Sequence, residues 1–345
     1  MDYIRYAVDE FLKLVAIPSP SGMTRRAAEY TKAAFEALGC PAELTRKGCV
    51  LAELGGEGEA VVLCSHLDTL GAVVAEIKPN GRLRLSRIGG LNANNVEAEN
   101  CIVVTRSGKT VGGACQLADA SIHVNLKYGD TQRTFDTVEV LLDELVRSRE
   151  DVEKLGVSVG DFVCFDPRAV YTESGFLKSR FIDDKLSVAL LLAFAKYLKD
   201  TGAKLRTKVY AYVTVYEEIG HGATASVPGD AAEMLVVDMG CVGEGLTCRE
   251  TQVSICAKDS SGPSDYDMTN ALIACAKKAG VDYAVDVYPS YGSDADAALR
   301  AGYDLRHCAI GQGVYASHGY ERTHRDGIAA TFELIKAYLL ETAEK

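Results

Sequence analysis

Apolar residues fall at helical spacing at the start of the chain, at Ile4, Ala7, Phe11 and Val15, and predict a helix that the prolines and glycine of "IPSPSG" bring to a stop. A second helix is expected from about Thr24 to Leu38. Short β-like runs follow, "CVLAEL" and then "EAVVLCS", which ends at His66. From Gly71 to about Asp166 the texture changes. There "GAVVAEIK", "RLRLSRI", "CIVVTRS" and "ASIHVNLK" read as strands separated by Gly, Asn and Asp turns, with one helical stretch near Val138 to Arg149. After Phe176 helix and strand alternate again. "LSVALLLAFAKYLKD" puts Leu186, Ala189, Leu190, Ala193, Phe194, Tyr197 and Leu198 on one helical face. "KVYAYVTVY", "EMLVVD" and "LRHCAI" read as buried strands, and "IAATFELIKAYLLET" as a closing helix. This alternation predicts an α/β fold, a sheet flanked by helices, interrupted by a β-rich insertion. The expected division is 1–70, an insertion 71–166, and 167–345.

Composition narrows the field. The 345 residues, 48% hydrophobic and 25% charged, suffice for one large α/β domain or two smaller ones. A net charge of −11 repels polyanions, and no Lys/Arg run interleaved with aromatics offsets it, so nucleic acid is excluded as a partner. The longest apolar stretch, Leu186 to Ala195, is too short to cross a bilayer, and charges interrupt the apolar residues of the N-terminus. Neither a signal peptide nor a membrane span is expected. Eleven cysteines, an odd count with no C-x-x-C pair, read as reduced and mostly buried thiols of a cytoplasmic protein.

Residues able to carry chemistry follow the ends of predicted strands. "VVLCSHLD" delivers His66 and Asp68, "VTVYEE" delivers Glu217 and Glu218, "MLVVD" delivers Asp238, and His318 comes beyond "LRHCAI". Ligands of open α/β sheets bind outside the carboxyl ends of the strands, so these groups are expected to converge on one crevice. Asp183 and Asp184 stand at the start of the helix in "FIDDKLSVAL". Taken alone they would serve the helix dipole, worth about 0.3–1 kcal/mol each. Together with the other residues they complete a mixed nitrogen and oxygen donor set that suits two zinc-like or cobalt-like ions. Paired metals about 3.5–4 Å apart need a bridging carboxylate, a role open to an aspartate at a helix start. The adjacent glutamates then make chemical sense, since one carboxylate can hold metal while the other takes a proton from water. Alone, they would be a solvated pair at a strand end. His123, His221 and His307 read as structural or solvated, and Ser293 or Asp294 in "YGSDADAAL" as a helix cap.

The ordered motifs "SHLDTLG", "FIDDKLSVAL", "VYEEIGHGA", "VVDMG" and "GSDADAAL" with "ASHGYERTH" resemble the M42 family of metallo-aminopeptidases. The resemblance runs from "IPSPSG" to the last helix, and the long β-rich stretch between Asp68 and Asp183 favours this family over other dinuclear exopeptidases. It implies the dinuclear-metal exopeptidase fold, a mixed sheet flanked by helices, with a β-rich, PDZ-like or barrel-like insert that mediates assembly into dimers up to dodecamers. It further implies two divalent ions per chain, zinc or cobalt first and manganese next. His66 and Asp238 would hold one ion, Glu218 and His318 the other, and Asp183 would bridge them. Glu217 would be the general base, and the Asp68 carboxylate would orient His66. Two departures stand out: Lys185 follows the Asp pair where the family often has Arg, and "SHGYERTH" replaces the usual His-Ser-Pro, which makes His324 a rival to His318. His318, just past a strand and a Gly-rich turn, is the better match. The "ASHGYERTH" form resembles a subgroup associated with osmoprotectant dipeptide metabolism. The implied activity is removal of N-terminal residues from short peptides. An amidohydrolase of blocked dipeptides or acylated amino acids is the alternative enzyme, and a non-catalytic binding protein on the same scaffold the alternative of another class.

Overall fold

The computed structural model describes residues 1–341. The chain forms two compact units, one from Met1–Asp68 together with the chain from Arg168 onward, the other from Thr69–Pro167.

The first unit is built on a mixed sheet, twelve-stranded among the described residues. At its centre four parallel strands run side by side in the order Lys208–Thr214, Ala60–His66, Ala231–Val237 and Arg306–Tyr315. Strands with both faces covered must be apolar at nearly every position, and Ala60–His66 is buried at all of its positions. Antiparallel strands extend the sheet on both sides, Val50–Gly55 and Ala42–Leu44 beyond one edge, and Glu321–His324, Phe176–Ser179 and Val170–Tyr171 beyond the other.

Helices cover the sheet. Tyr3–Val15, capped by the Asp2 carboxylate accepting the Arg5 N–H at 2.9 Å, buries Ala7, Phe11 and Leu14 against the helix Ile182–Thr201. The latter is buried from Ile182 through Ala195 on every side, so the single apolar face expected from its periodicity is a correction to make. Its Leu and Ala content reflects a position between the sheet and three other helices, Tyr3–Val15, Arg25–Ala37 and Arg325–Leu339, which leaves no solvated side before the last turn. Its first residues are not helical: Asp183 (ψ 101°) and Asp184 (φ −126°) lie in a kinked entry, and the peptide between them is cis. Lys185, the departure noted in the sequence, is buried and donates to the carbonyls of Leu14 and Ile17 at 3.0 and 2.6 Å, which ties this entry to the end of the first helix.

The second unit is a closed antiparallel barrel in the order Gly71–Ile77, Leu83–Ile88, Val138–Leu142, Thr110–Leu117, Glu99–Val104 and Phe162–Phe165, which returns to the first strand. Closure removes every free edge. Alternate residues such as Val74, Leu85, Val103, Val111, Val140 and Val163 fill the interior. Two expectations fail here. Val138–Leu142 is a strand, because the barrel needs it to bridge Leu83–Ile88 and Thr110–Leu117, and the helix begins only at Arg149. "ASIHVNLK" is a series of turns with His123 exposed, since no barrel strand is left for it to pair with.

Candidate metal centre

The register of the parallel strands assembles the centre within the first unit. Thr214 pairs with His66 and Val236 with Cys64, so the three chain segments that follow these strands emerge at one carboxyl edge. They carry His66 and Asp68, then Glu217 and Glu218, then Asp238. The close approach of the neighbouring strand depends on Gly311, where a Cβ atom would lie 1.6 Å from the Asp238 carbonyl oxygen.

Two donor groups result. One ligand atom each from His66, Asp183 and Asp238 lie within 4.8 Å of one another, and the same holds for Asp183, Glu218 and His318. Asp183 is common to both. Its Oδ1 is 3.0 Å from His66 Nε2 and its Oδ2 is 3.4 Å from His318 Nε2. Asp238 Oδ2 stands 3.9 Å from His66 Nε2, and Glu218 Oε2 stands 3.6 Å from His318 Nε2. Glu217 belongs to neither group, although its Oε2 is 3.7 Å from His66 Nε2.

Carboxylates behind this layer hold the segments that bear it. Asp68 accepts the backbone N–H groups of Glu217 (3.1 Å) and Glu218 (3.3 Å) and the Ser21 hydroxyl (2.5 Å). Its relation to His66 is through the main chain: the Asp68 carbonyl is 3.0 Å from His66 Nδ1, while its carboxylate is 3.7 Å away. A proton on Nδ1 directed at that carbonyl makes Nε2, which faces the carboxylates, the nitrogen available to a metal ion once its own proton is displaced. Asp294 accepts the Ala223 N–H at 2.7 Å and the Thr214 hydroxyl, and so clamps both ends of the loop carrying the two glutamates. Ser293, with Asp296 returning a bond to its N–H, caps the helix that presents Asp294. Glu321 accepts the N–H of Asp183 at 3.1 Å and of His318 at 3.0 Å.

Sequence reasoning overlooked Ser21 and Glu321. The available signal for Glu321 was a carboxylate between two histidines in "ASHGYERTH", and a carboxylate that is buried needs strong partners. His324 is engaged elsewhere: Nε2 contacts the Ser174 carbonyl at 2.9 Å, Nδ1 accepts the Asp326 N–H at 3.1 Å, and the ring packs on Phe176. His221 is exposed and stacks on Tyr216, and His307 lies in the strand Arg306–Tyr315.

Concentrating so much negative charge in a buried space has a large electrostatic cost. Burial, reinforced by Asp294 and Asp238, holds Glu217 well above the usual carboxyl range. Burial, reinforced by Asp183, does the same for Glu218 and pushes Asp238 up to about 7. For Asp183 burial is outweighed by hydrogen bonds from His318 and His66, which hold it low. His318 rises to about 10, because Asp183 and Glu218 outweigh the burial that favours its neutral form. Two divalent cations would displace these tightly held protons, and imidazole nitrogen with carboxylate oxygen is a donor set that suits them.

Known proteins place this geometry in context. The family model described as M42 glutamyl aminopeptidase matches residues 48–334. The chain is 41% identical, over 341 residues covering 98% of it and 99% of its relative, to the protein YhfE of Bacillus subtilis (strain 168), an aminopeptidase by assignment only. Against the glutamyl aminopeptidase of Lactococcus lactis subsp. cremoris (strain MG1363), identity is 22% over 258 residues, 70% of this chain and 72% of that one. Among solved structures, aminopeptidase APDkam598 from the archaeon Desulfurococcus kamchatkensis superposes with a TM-score of 0.88 at 21% identity, covering 99% of this chain and 96% of that one. The Pyrococcus horikoshii TET1 peptidase, which can assemble into a tetrahedron or a large octahedral shell, gives 0.84 at 22% identity, covering 97% and 100%.

Proposed function

The chain belongs to the M42 glutamyl aminopeptidase family, and from that premise we propose that it is a dinuclear metal-dependent aminopeptidase that removes N-terminal residues from short peptides. The observation that carries this reading is the sharing of Asp183 between two three-residue donor groups. His66 and Asp238 would hold one divalent ion and Glu218 and His318 the other, with the Asp183 carboxylate shared between the two groups. Zinc or cobalt suits the donors best, with manganese next. When bound, the ions polarise the scissile carbonyl and make water a competent nucleophile near neutral pH.

The chain's own residues do the rest. Glu217, beside His66 but outside both donor groups, accepts the proton of the attacking water and delivers it to the departing amine. A base with a raised proton affinity suits both halves of that task, and burial supplies it. Asp68 keeps Glu217 and Glu218 at fixed depth through their backbone N–H groups, and it positions His66 through the carbonyl contact to Nδ1.

The inserted unit mediates assembly into a homo-oligomer, a dimer or a larger shell. Support comes from its exposed apolar side chains, among them Leu126 at 95% and Leu145 at 100% exposure. Light scattering at micromolar concentration should give a multiple of the chain mass, and a monomer would remove this part of the reading. Among the described residues no helix is long and apolar enough to cross a membrane, and eleven free cysteines support a reducing, cytoplasmic setting.

The direct test is a substrate profile of the purified protein with zinc, cobalt and manganese supplied in turn, using matched free and N-acetylated dipeptides. Cleavage restricted to free N-termini is the expected result. Preference for the acetylated series would make the enzyme an amidohydrolase of blocked dipeptides. Two bound ions with no hydrolysis across a broad library would make it a binding protein.

A further inference from the structure

Glu321 opens the strand Glu321–His324, and the antiparallel register sets it opposite Ser179, the last residue of Phe176–Ser179. The chain leaves this strand pair twice for the metal centre, forward from Ser179 to Asp183 and backward from Glu321 to His318. Both departures use left-handed backbone, Phe181 at φ 65° and His318 at φ 61°. Residues with side chains persist in that conformation only where their surroundings hold them.

The Glu321 carboxylate lies between the two departures and binds both. Oε2 accepts the Asp183 N–H at 3.1 Å and Oε1 accepts the His318 N–H at 3.0 Å. The side chain is buried, and each oxygen is committed to a backbone N–H. It belongs to neither donor group. Two backbone donors converging on the two oxygens of one buried side chain fix the separation of the segments that bear them.

We infer that Glu321 is a positioning residue that sets the separation of Asp183 and His318, and thereby the affinity of the ion held by Asp183, Glu218 and His318. The inference rests on the two-metal reading above. Glutamine cannot replace it, because one of its two terminal atoms is a donor and would face a backbone donor.

The experiment titrates chelator-stripped, full-length protein with cobalt(II) by calorimetry. Wild type should take two ions. Glu321→Gln should keep the ion on the His66–Asp238 side near its original affinity and bind the other about 10–100-fold more weakly, the usual cost of removing an outer partner of metal ligands. Excess cobalt should then restore most of kcat. Thr323→Val, which removes a buried hydroxyl bond to the Gly313 carbonyl (2.7 Å) from the same strand, should lower thermal stability and leave both affinities in place. If Glu321→Gln does not fold, Glu321→Asp keeps the charge but cannot reach both N–H groups, and should show a smaller loss at the same ion. Unchanged affinities, equal weakening of both ions, or the same selective loss in Thr323→Val overturns the inference. Wild type that takes fewer than two ions overturns it together with the two-metal reading. Wild type that takes two ions but cleaves no peptide overturns the peptide reading alone, and selective loss in Glu321→Gln then still supports the positioning role.

Discussion

Glu217 and Glu218 are neighbours on one short helical turn yet face different histidines, His66 at 3.7 Å and His318 at 3.6 Å respectively. Their amides should therefore fail differently. Glu217→Gln keeps size and polarity but cannot take a proton, so it should retain both metals while kcat falls by ~10²–10⁴. Glu218→Gln removes an anionic donor, so its first symptom should be weaker metal binding, with activity partly restored by excess metal. Metal content and kcat of both variants, measured at one free metal concentration, decide the assignment, and the reverse pattern would exchange the two roles. Asp183, within reach of both histidines, should cost more metal as Asp183→Asn than substitution of His66 or His318 alone. Two ions retained per chain after dialysis of that variant would remove Asp183 from the bridging position.

At the scale of the element, the helix Ile182–Thr201 couples the core to the site, because its kinked entry carries Asp183 while its body is buried on all sides. Leu190 lies in that body with no exposed surface. Leu190→Ala should cost about 2–5 kcal/mol, the transfer of a large aliphatic side chain plus the cavity left behind. Equilibrium urea unfolding measures this directly. A loss below about 1 kcal/mol would mean that the position can collapse or reach solvent, against the burial described here.

For the whole molecule, the buried charge predicts how stability responds to pH once metal is removed. His318 is raised to about 10 by its carboxylate neighbours against the opposing effect of burial. A raised histidine contributes stability that is complete below its unfolded value near 6.5 and is lost as pH climbs toward the folded one. Asp238 is raised to about 7 by burial and Asp183. A raised carboxyl opposes folding where it must ionise, so stability recovers as pH falls through the folded value toward ~3.9. Asp183, held low, gives up its contribution only in stronger acid. The other raised carboxyls, Glu217 and Glu218, slope the same way, and the metal-stripped protein should melt at a higher temperature near pH ~5.5 than near pH ~8. Saturating metal should flatten that slope, since the ions replace the protons. A stripped protein whose Tm rises with pH over this window would contradict the arrangement.

Patterns confined to a few neighbouring residues survived folding intact. Helical spacing in Tyr3–Val15 and Arg325–Leu339, the apolar runs of the central parallel strands, and the imidazole and carboxylate donors His66, Asp183, Glu218, Asp238 and His318 that the fold gathers into two groups were all legible in the chain, because each depends on local period or on the chemistry of one side chain. Other features depended on which segments meet. Val138–Leu142 became a strand because a six-stranded barrel could not close without it, and "ASIHVNLK" stayed in turns because no barrel edge remained for it. The helix Ile182–Thr201 lost its solvated face through Ala195 because the sheet and three helices enclose it. Glu321 holds the Asp183 N–H and Asp68 the Glu217 N–H, each from a distant segment, a pairing that no sequence spacing encodes. Periodicity is a property of covalent neighbours, whereas the partner of a buried carboxylate is settled by the need to satisfy every polar group once the whole chain has packed.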